Sequence, residues 1–269
     1  MTMQKSLPIL AGVIALTMSA GVARGGVISD VQSNARPMGL DIIAEVMLSG
    51  SDSRAELFNT ITLPVLLNYH NTRELVGDAD AELTRAGALT FAQAGDVRVY
   101  FVAEGAGYRN TLAVNTTGRG LETGTPGLIF PNASMHGRRH MPDNARRRNH
   151  IPLASGDFVE LGPIDAGTTL DFMLIADGAR RGTNVWSTDP LRNSDGQSHA
   201  MMLQLDAQPN TTLIGWEDLP GRGDRDYNDL LIAVEFTPTG QIPEPATVML
   251  LGFAILFSTS RMRHRRAPD

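Results

Sequence analysis

Between Glu217 and Asp229 the chain places five carboxylates and one amide: Glu217, Asp218, Asp224, Asp226, Asn228 and Asp229. Negative charges packed this closely disfavour one another unless a cation sits among them. Gly215, Pro220, Gly221 and Gly223 interleave with the acids and let the backbone turn tightly around a point. Calcium suits such a loop better than magnesium, since it accepts about six to eight oxygens in flexible geometry. Asp224, Asp226 and Asn228 alternate along the loop and can face one ion. They also occupy the first, third and fifth places of an EF-hand count, and Glu235 falls at the twelfth. The sixth place, however, holds Asp229 where the EF-hand turn needs glycine, and residues 230–236 read as a strand and not an outgoing helix. A true EF-hand is therefore rejected, and the position of Glu235 is a coincidence of spacing. A second reading stays open: Asp and Asn are also ordinary turn formers that bond their own backbone.

Other chemistry finds little footing. There are no cysteines, which removes disulfides, thiolate metal sites and cysteine nucleophiles. No Gly-x-Ser-x-Gly elbow, His-Glu-x-x-His pair or P-loop occurs. Of the six histidines, only His70 and His199 lie outside the tail and the segment 136–150. The expectation is a protein that is not an enzyme. The alternative is a carbohydrate-active hydrolase, since neighbouring carboxylates such as Glu217 and Asp218 can in principle serve a glycosidase. Residues 26–242 hold 17 arginines and no lysine against 27 Asp plus Glu, a balance of −10. So acidic a body repels phosphate backbones, and no nucleic-acid partner is expected.

The elements that must position the acidic loop read as β. Val97, Val99, Phe101 and Ala103 alternate with Arg98, Tyr100, Val102 and Glu104. Further strands are expected at 170–176, 201–205, 212–216 and 230–236, separated by turn residues such as Gly162-Pro163, Asp177-Gly178 and Asp195-Gly196. The predicted fold is mainly β, an antiparallel β-sandwich of jelly-roll-like form over residues 91–240, preceded by an N-terminal segment, 26–90, with a short helix. Ser53-Arg54-Ala55-Glu56 fits a capping box for that helix, and Pro64 should limit it or sit at its end. His136, Arg138, Arg139, His140, Arg146, Arg147, Arg148 and His150 mark a basic loop at 136–150. It reads either as a contact for anionic polysaccharide or lipid head groups, or as a solvated segment balancing the acidic body.

Both ends of the chain read as addresses. Residues 1–25 have Lys5, an apolar stretch from Leu7 to Met18 and the small residues Gly21-Val22-Ala23, the pattern of a signal peptide. At the other end, in 241–269, Pro243-Glu244-Pro245 precedes an uncharged apolar run from Ala246 to Ser260, followed by Arg261, Arg263, His264, Arg265 and Arg266. That order resembles the PEP-CTERM sorting tail. The resemblance implies an exosortase-type processing enzyme as partner and a C-terminal transmembrane helix in the inner membrane before processing, with the basic end cytoplasmic. It also implies display at the cell surface or in the extracellular matrix, in association with exopolysaccharide.

A second resemblance rests on Trp216 to Phe236: an aromatic, Glu217-Asp218-Leu219, a glycine-rich step, Asp224-Arg225-Asp226-Tyr227-Asn228-Asp229, then an apolar strand. This looks like the C-terminal signature of the domain of unknown function 4114. Pieces upstream, Gly105 to Leu112, Gly167 to Ala176 and Trp186 through His199, extend the resemblance over about residues 95 to 236. It implies a β-rich fold, a calcium ion and a metal set of Glu217, Asp218, Asp224, Asp226, Asn228 and Asp229, with Asp195 approaching from a neighbouring loop. His199 reads as a packed histidine and not a ligand. The combined expectation is an exported, non-catalytic surface protein with a calcium-binding module.

Overall fold

The computed structural model describes residues 31–72, 84–85, 87–117, 126–136, 152–205 and 208–239. The leader expected at 1–25, the basic segment beyond His136 and the tail 241–269 lie outside these residues. Twelve strands appear in chain order: β1 (Val46–Met47), β2 (Thr84–Arg85), β3 (Leu89–Thr90), β4 (Gly95–Ala103), β5 (Thr111–Thr117), β6 (Gly127–Phe130), β7 (Phe158–Ile164), β8 (Thr169–Ile175), β9 (Val185–Ser187), β10 (Ala200–Leu205), β11 (Gln208–Trp216) and β12 (Leu230–Pro238). One sheet has the order β1-β7-β4-β12-β11-β10-β2, and the other β3-β8-β5-β6 with β9 also on β8. Every pairing between these strands is antiparallel. The mainly β, antiparallel expectation holds. The segment 26–90 supplies edge strands to both sheets, since β1 lies on β7, β2 on β10 and β3 on β8.

Hydrophobic alternation explains how the sheets meet. Val97, Val99 and Phe101 of β4 join Ile214, Trp216, Ile232 and Val234 in one buried cluster with Leu112, Val114, Leu170, Phe172 and Leu174 of the second sheet. A shared apolar core of this kind is the arrangement of a sandwich. The opposite face of β4 is also buried. Tyr100 and Val102 pack with Phe158, Leu213, Leu231 and Ala233 beneath a helical layer. A register shift between Leu231 and Ile232, where β12 pairs with β4, puts Ala103 on the Val102 side and interrupts the expected alternation.

That layer consists of α1 (Ser53–Leu57), a π-helical turn (Phe58–Thr62) and α2 (Leu63–Thr72). Its cap is Asp52, one residue before the expected capping box: Asp52 Oδ1 accepts the Ala55 N–H at 2.8 Å. The shift has a cause, because the same carboxylate takes a fork from Arg98 at 3.0 and 2.7 Å. Pro64 does not limit the helix, which continues to Thr72. The Leu63 N–H reaches back to Phe58 O, a reset of the hydrogen-bond ladder just before the residue that has no N–H to give. Phe58 stacks on Tyr100 with ring centroids 3.7 Å apart and pins the layer to the sheet. Among the described residues no helix is long and apolar enough to cross a membrane.

Candidate metal centre

The acidic loop joins β11 to β12. Its ends are held by strand pairing of Trp216 with Leu230 and by the Asp229 N–H on Trp216 O at 3.0 Å. Within it, Gly223, Arg225 and Tyr227 have φ of +46, +65 and +50°. Alternate left-handed residues turn Asp224 and Asp226 inward, and each non-glycine held there costs about 1–2 kcal/mol. The result is a trio: one carboxylate oxygen each from Glu217, Asp224 and Asp226, all within 4.8 Å of one another.

Glu217 is the anchor of this group. Its side chain is fully buried. Oε1 accepts the Tyr227 N–H at 2.6 Å, while Oε2 is buried with no hydrogen-bond partner. A Cβ at Gly223 would lie 2.2 Å from that oxygen, so any larger residue there would displace the Glu217 carboxylate, and the positive φ favours glycine as well. Burial, reinforced by the charges of Asp224 and Asp226 and opposed by the Tyr227 N–H, pushes Glu217 up to about 7. A buried carboxylate with one unpartnered oxygen, beside two more carboxylates, is an arrangement that could hold a cation.

The other expected ligands fall into different roles. Asp218, next to Glu217, points away from the trio and accepts from Asn110 Nδ2 at 2.7 Å, and its N–H bonds Asp229 Oδ2 at 2.9 Å. Burial raises both Asp218 and Asp229, which lie close enough to share a proton, and the nearby Asp177 adds to the rise at Asp218. Asn228 braces Asp226, donating from Nδ2 at 2.6 Å and from its N–H at 3.2 Å. Asp195 does approach from its own loop, but as a strut. It meets His199 Nε2 at 2.9 Å, accepts the Gln197 N–H at 3.0 Å and accepts the Gly221 N–H at 3.3 Å. Partial burial works against its charge, yet these bonds hold Asp195 below the usual carboxylate range. His199 is fully buried and stacks on Trp186 at 3.8 Å, and Trp186 Nε1 donates to Asp218 O at 2.9 Å. Asn110 and Asp177 were not singled out from the sequence as part of the site. Asn110 lies 108 residues from Asp218, and no local spacing links them.

Residues 164–237 match the family model described as Domain of unknown function (DUF4114), and residues 241–266 match the PEP-CTERM protein-sorting motif. The DUF4114 match runs from the end of β7 through β12 and includes the whole acidic loop. It is narrower than the resemblance read from the sequence, since Asn110 and the β4–β5 connection lie before it. The PEP-CTERM match covers Pro243, Glu244, Pro245, Arg261, Arg263, Arg265 and Arg266. It implies export to the cell envelope, recognition by exosortase-type processing and a membrane-anchored tail before that processing. Neither the curated proteins nor the solved structures give a match to the chain.

Proposed function

We propose that the protein is a non-catalytic module of the cell envelope whose β-sandwich, jelly-roll-like in form, is completed by a calcium ion held by Glu217, Asp224 and Asp226. The observation that carries this reading is the fully buried Glu217 carboxylate, whose Oε2 has no hydrogen-bond partner and one of whose oxygens lies within 4.8 Å of carboxylate oxygens of Asp224 and Asp226. Desolvating a carboxylate without a partner is costly, and a divalent ion is the one neutralising group that also accepts all three side chains. The donors are all oxygen, which favours calcium over zinc or copper. In this reading Asn228 and Asp195 hold the loop in shape, and the Asp218–Asp229 pair fastens it to the β4–β5 connection.

The burial of Glu217 also supports a binding role over hydrolysis. A glycosidase acid must reach the bond it protonates, and Glu217 lies beneath Gly223 with no exposed surface. The PEP-CTERM tail would place the module outside the inner membrane, anchored by its apolar run 246–260 until processing. There its calcium-organised loops would contact extracellular polysaccharide.

The test is a melting curve taken in chelator and again after calcium is restored. Calcium should raise Tm where magnesium at equal concentration does little, and Asp224→Asn with Asp226→Asn should abolish the response. A curve that calcium leaves unmoved refutes the metal reading. Turnover of surface glycans by the purified protein would instead favour the hydrolase.

A further inference from the structure

The outward side of the helical layer has the wrong composition for a surface that only meets water. Between Glu56 and Arg73 there is no Asp, Glu, Lys or Arg. Ala55, Phe58, Leu63 and Leu66 face the sheet, as an amphipathic helix requires. Yet Leu57, Ile61 and Val65, spaced by one turn on the other side, remain 60, 49 and 50 % exposed. Met47 and Leu48, just before the helix, are 40 and 48 % exposed, and Asn59 Nδ2 bonds Ser49 Oγ at 2.7 Å to hold that stretch against the helix. Five of the nine exposed large apolar side chains among the described residues thus fall within residues 47–65. A helix apolar on both sides marks a face that something covers.

The point where the described chain ends, and the length of chain beyond it, say what covers it. Arg54 at the start of α1 bonds Glu235 at 2.8 Å, three residues before β12 ends at Pro238. The helical layer therefore begins within roughly 10 Å, along the strand, of the point where the chain leaves the sheet. Only residues 240–245 then separate Thr239 from the apolar run that starts at Ala246. That connection spans at most about 25 Å, while a helix layer is about 10–12 Å thick. A tail anchored in a bilayer thus keeps this face within reach of the same bilayer. The face offers no cationic side chain, so its contact is apolar and needs no anionic lipid. Tethering makes that contact intramolecular, and a weak apolar patch then suffices.

We infer that Leu57, Ile61 and Val65 form a membrane-resting face, on which the domain lies against the phospholipid surface while its PEP-CTERM tail is in place. The inference rests on the sorting reading of the tail and is independent of the calcium site. The acidic loop lies at the opposite end of β12.

The chain has no cysteine, which makes a clean test available. Ile61→Cys and Leu191→Cys, the latter at a side chain 92 % exposed, are made separately in the full chain and labelled with a polarity-sensitive fluorophore. Each is then reconstituted through the tail into phosphatidylcholine vesicles containing a spin-labelled lipid. The Ile61 label should shift to shorter wavelength and lose roughly half or more of its emission to the lipid quencher, while the Leu191 label is quenched by aqueous iodide alone. Equal iodide access at both sites overturns the inference. So does an Ile61 label shielded from both quenchers in proportion to protein concentration, which would assign the face to a second copy of the chain. A cooperative melting transition in both variants, within a few degrees of that of the unaltered chain, shows that the fold is intact.

Discussion

The acidic loop and the helix–sheet junction solve the same electrostatic problem in opposite ways. At the junction, Asp52, Glu160 and Glu235 sit close together, but Arg98 bonds Asp52 and Glu160, and Arg54 bonds Glu235. Tyr100 adds its hydroxyl to Glu235 at 3.1 Å, and Arg98 lies 4.5 Å from the Phe158 ring centre. Asp52 is held below the usual carboxylate range, first by its bond to Arg98. At the loop, among the described side chains, no guanidinium is bonded to the Glu217 carboxylate, which takes backbone N–H groups instead, and burial drives that group the other way, up to about 7. The comparison shows that carboxylate clustering alone says little. What separates a finished ion-pair network from a candidate cation site is whether the fold supplies its own positive charge.

The largest test of that contrast is calcium itself. With free ion at a hundred times its dissociation constant, linkage adds about 2.7 kcal/mol, which for a domain of this size raises Tm by roughly 5–10 °C. Proton linkage gives the two regions opposite signs. Without calcium, Glu217 binds its proton more tightly folded than unfolded, so its contribution is present at low pH and declines as pH rises from about 4.5 to about 7. Asp52 contributes stability above its ordinary value of 3.8 that is lost as pH falls below it. Calcium competes with the Glu217 proton, so the calcium-induced rise in Tm should shrink as pH is lowered from 7 toward 5. A rise independent of pH would remove Glu217 from the ligand set.

The junction should respond to loss of its cation. Arg98→Ala strands Asp52 and Glu160 near each other, but their side chains are 41 and 37 % exposed and can rehydrate. The cost should be about 2 kcal/mol, below that of a fully buried pair, as a lower urea midpoint of equal size with and without calcium. A cost that disappears when calcium is added would show that ion binding at the loop and the ion pairs of the junction are coupled.

How much of this was legible follows from what each feature depends on. β4, β8, β10, β11 and β12 announce themselves through period-two apolar residues or short apolar runs bounded by turns. β7 hides behind Gly162 and Pro163, and β1, β2 and β3, at two residues each, are too short to have a period. Asp52 outcompetes Ser53 as cap because Arg98, 46 residues away, holds it, a tertiary effect that local spacing does not encode. The acids of the loop were visible, but their division was not. Glu217 and Asp218 are neighbours in near-extended chain and so face opposite ways, one into the trio and one toward Asn110. That parity was the available clue, and only the β4–β5 connection gives it meaning.

The smallest expected effect is the sharpest check on the spacing argument. Glu235 stands at the twelfth place of an EF-hand count, yet it lies in β12 opposite Arg98, bonded to Arg54 and Tyr100. Glu235→Gln weakens the charged bond to Arg54 while leaving an oxygen for the Tyr100 hydroxyl. Stability should fall by no more than about 1 kcal/mol, and the calcium-induced shift in Tm should match that of the unaltered chain. Were the shift to vanish in Glu235→Gln while Asp226→Asn retained it, the ion would belong to the junction and not the loop. The arginines there make that outcome unfavourable, because Arg54 already occupies the carboxylate a cation would need.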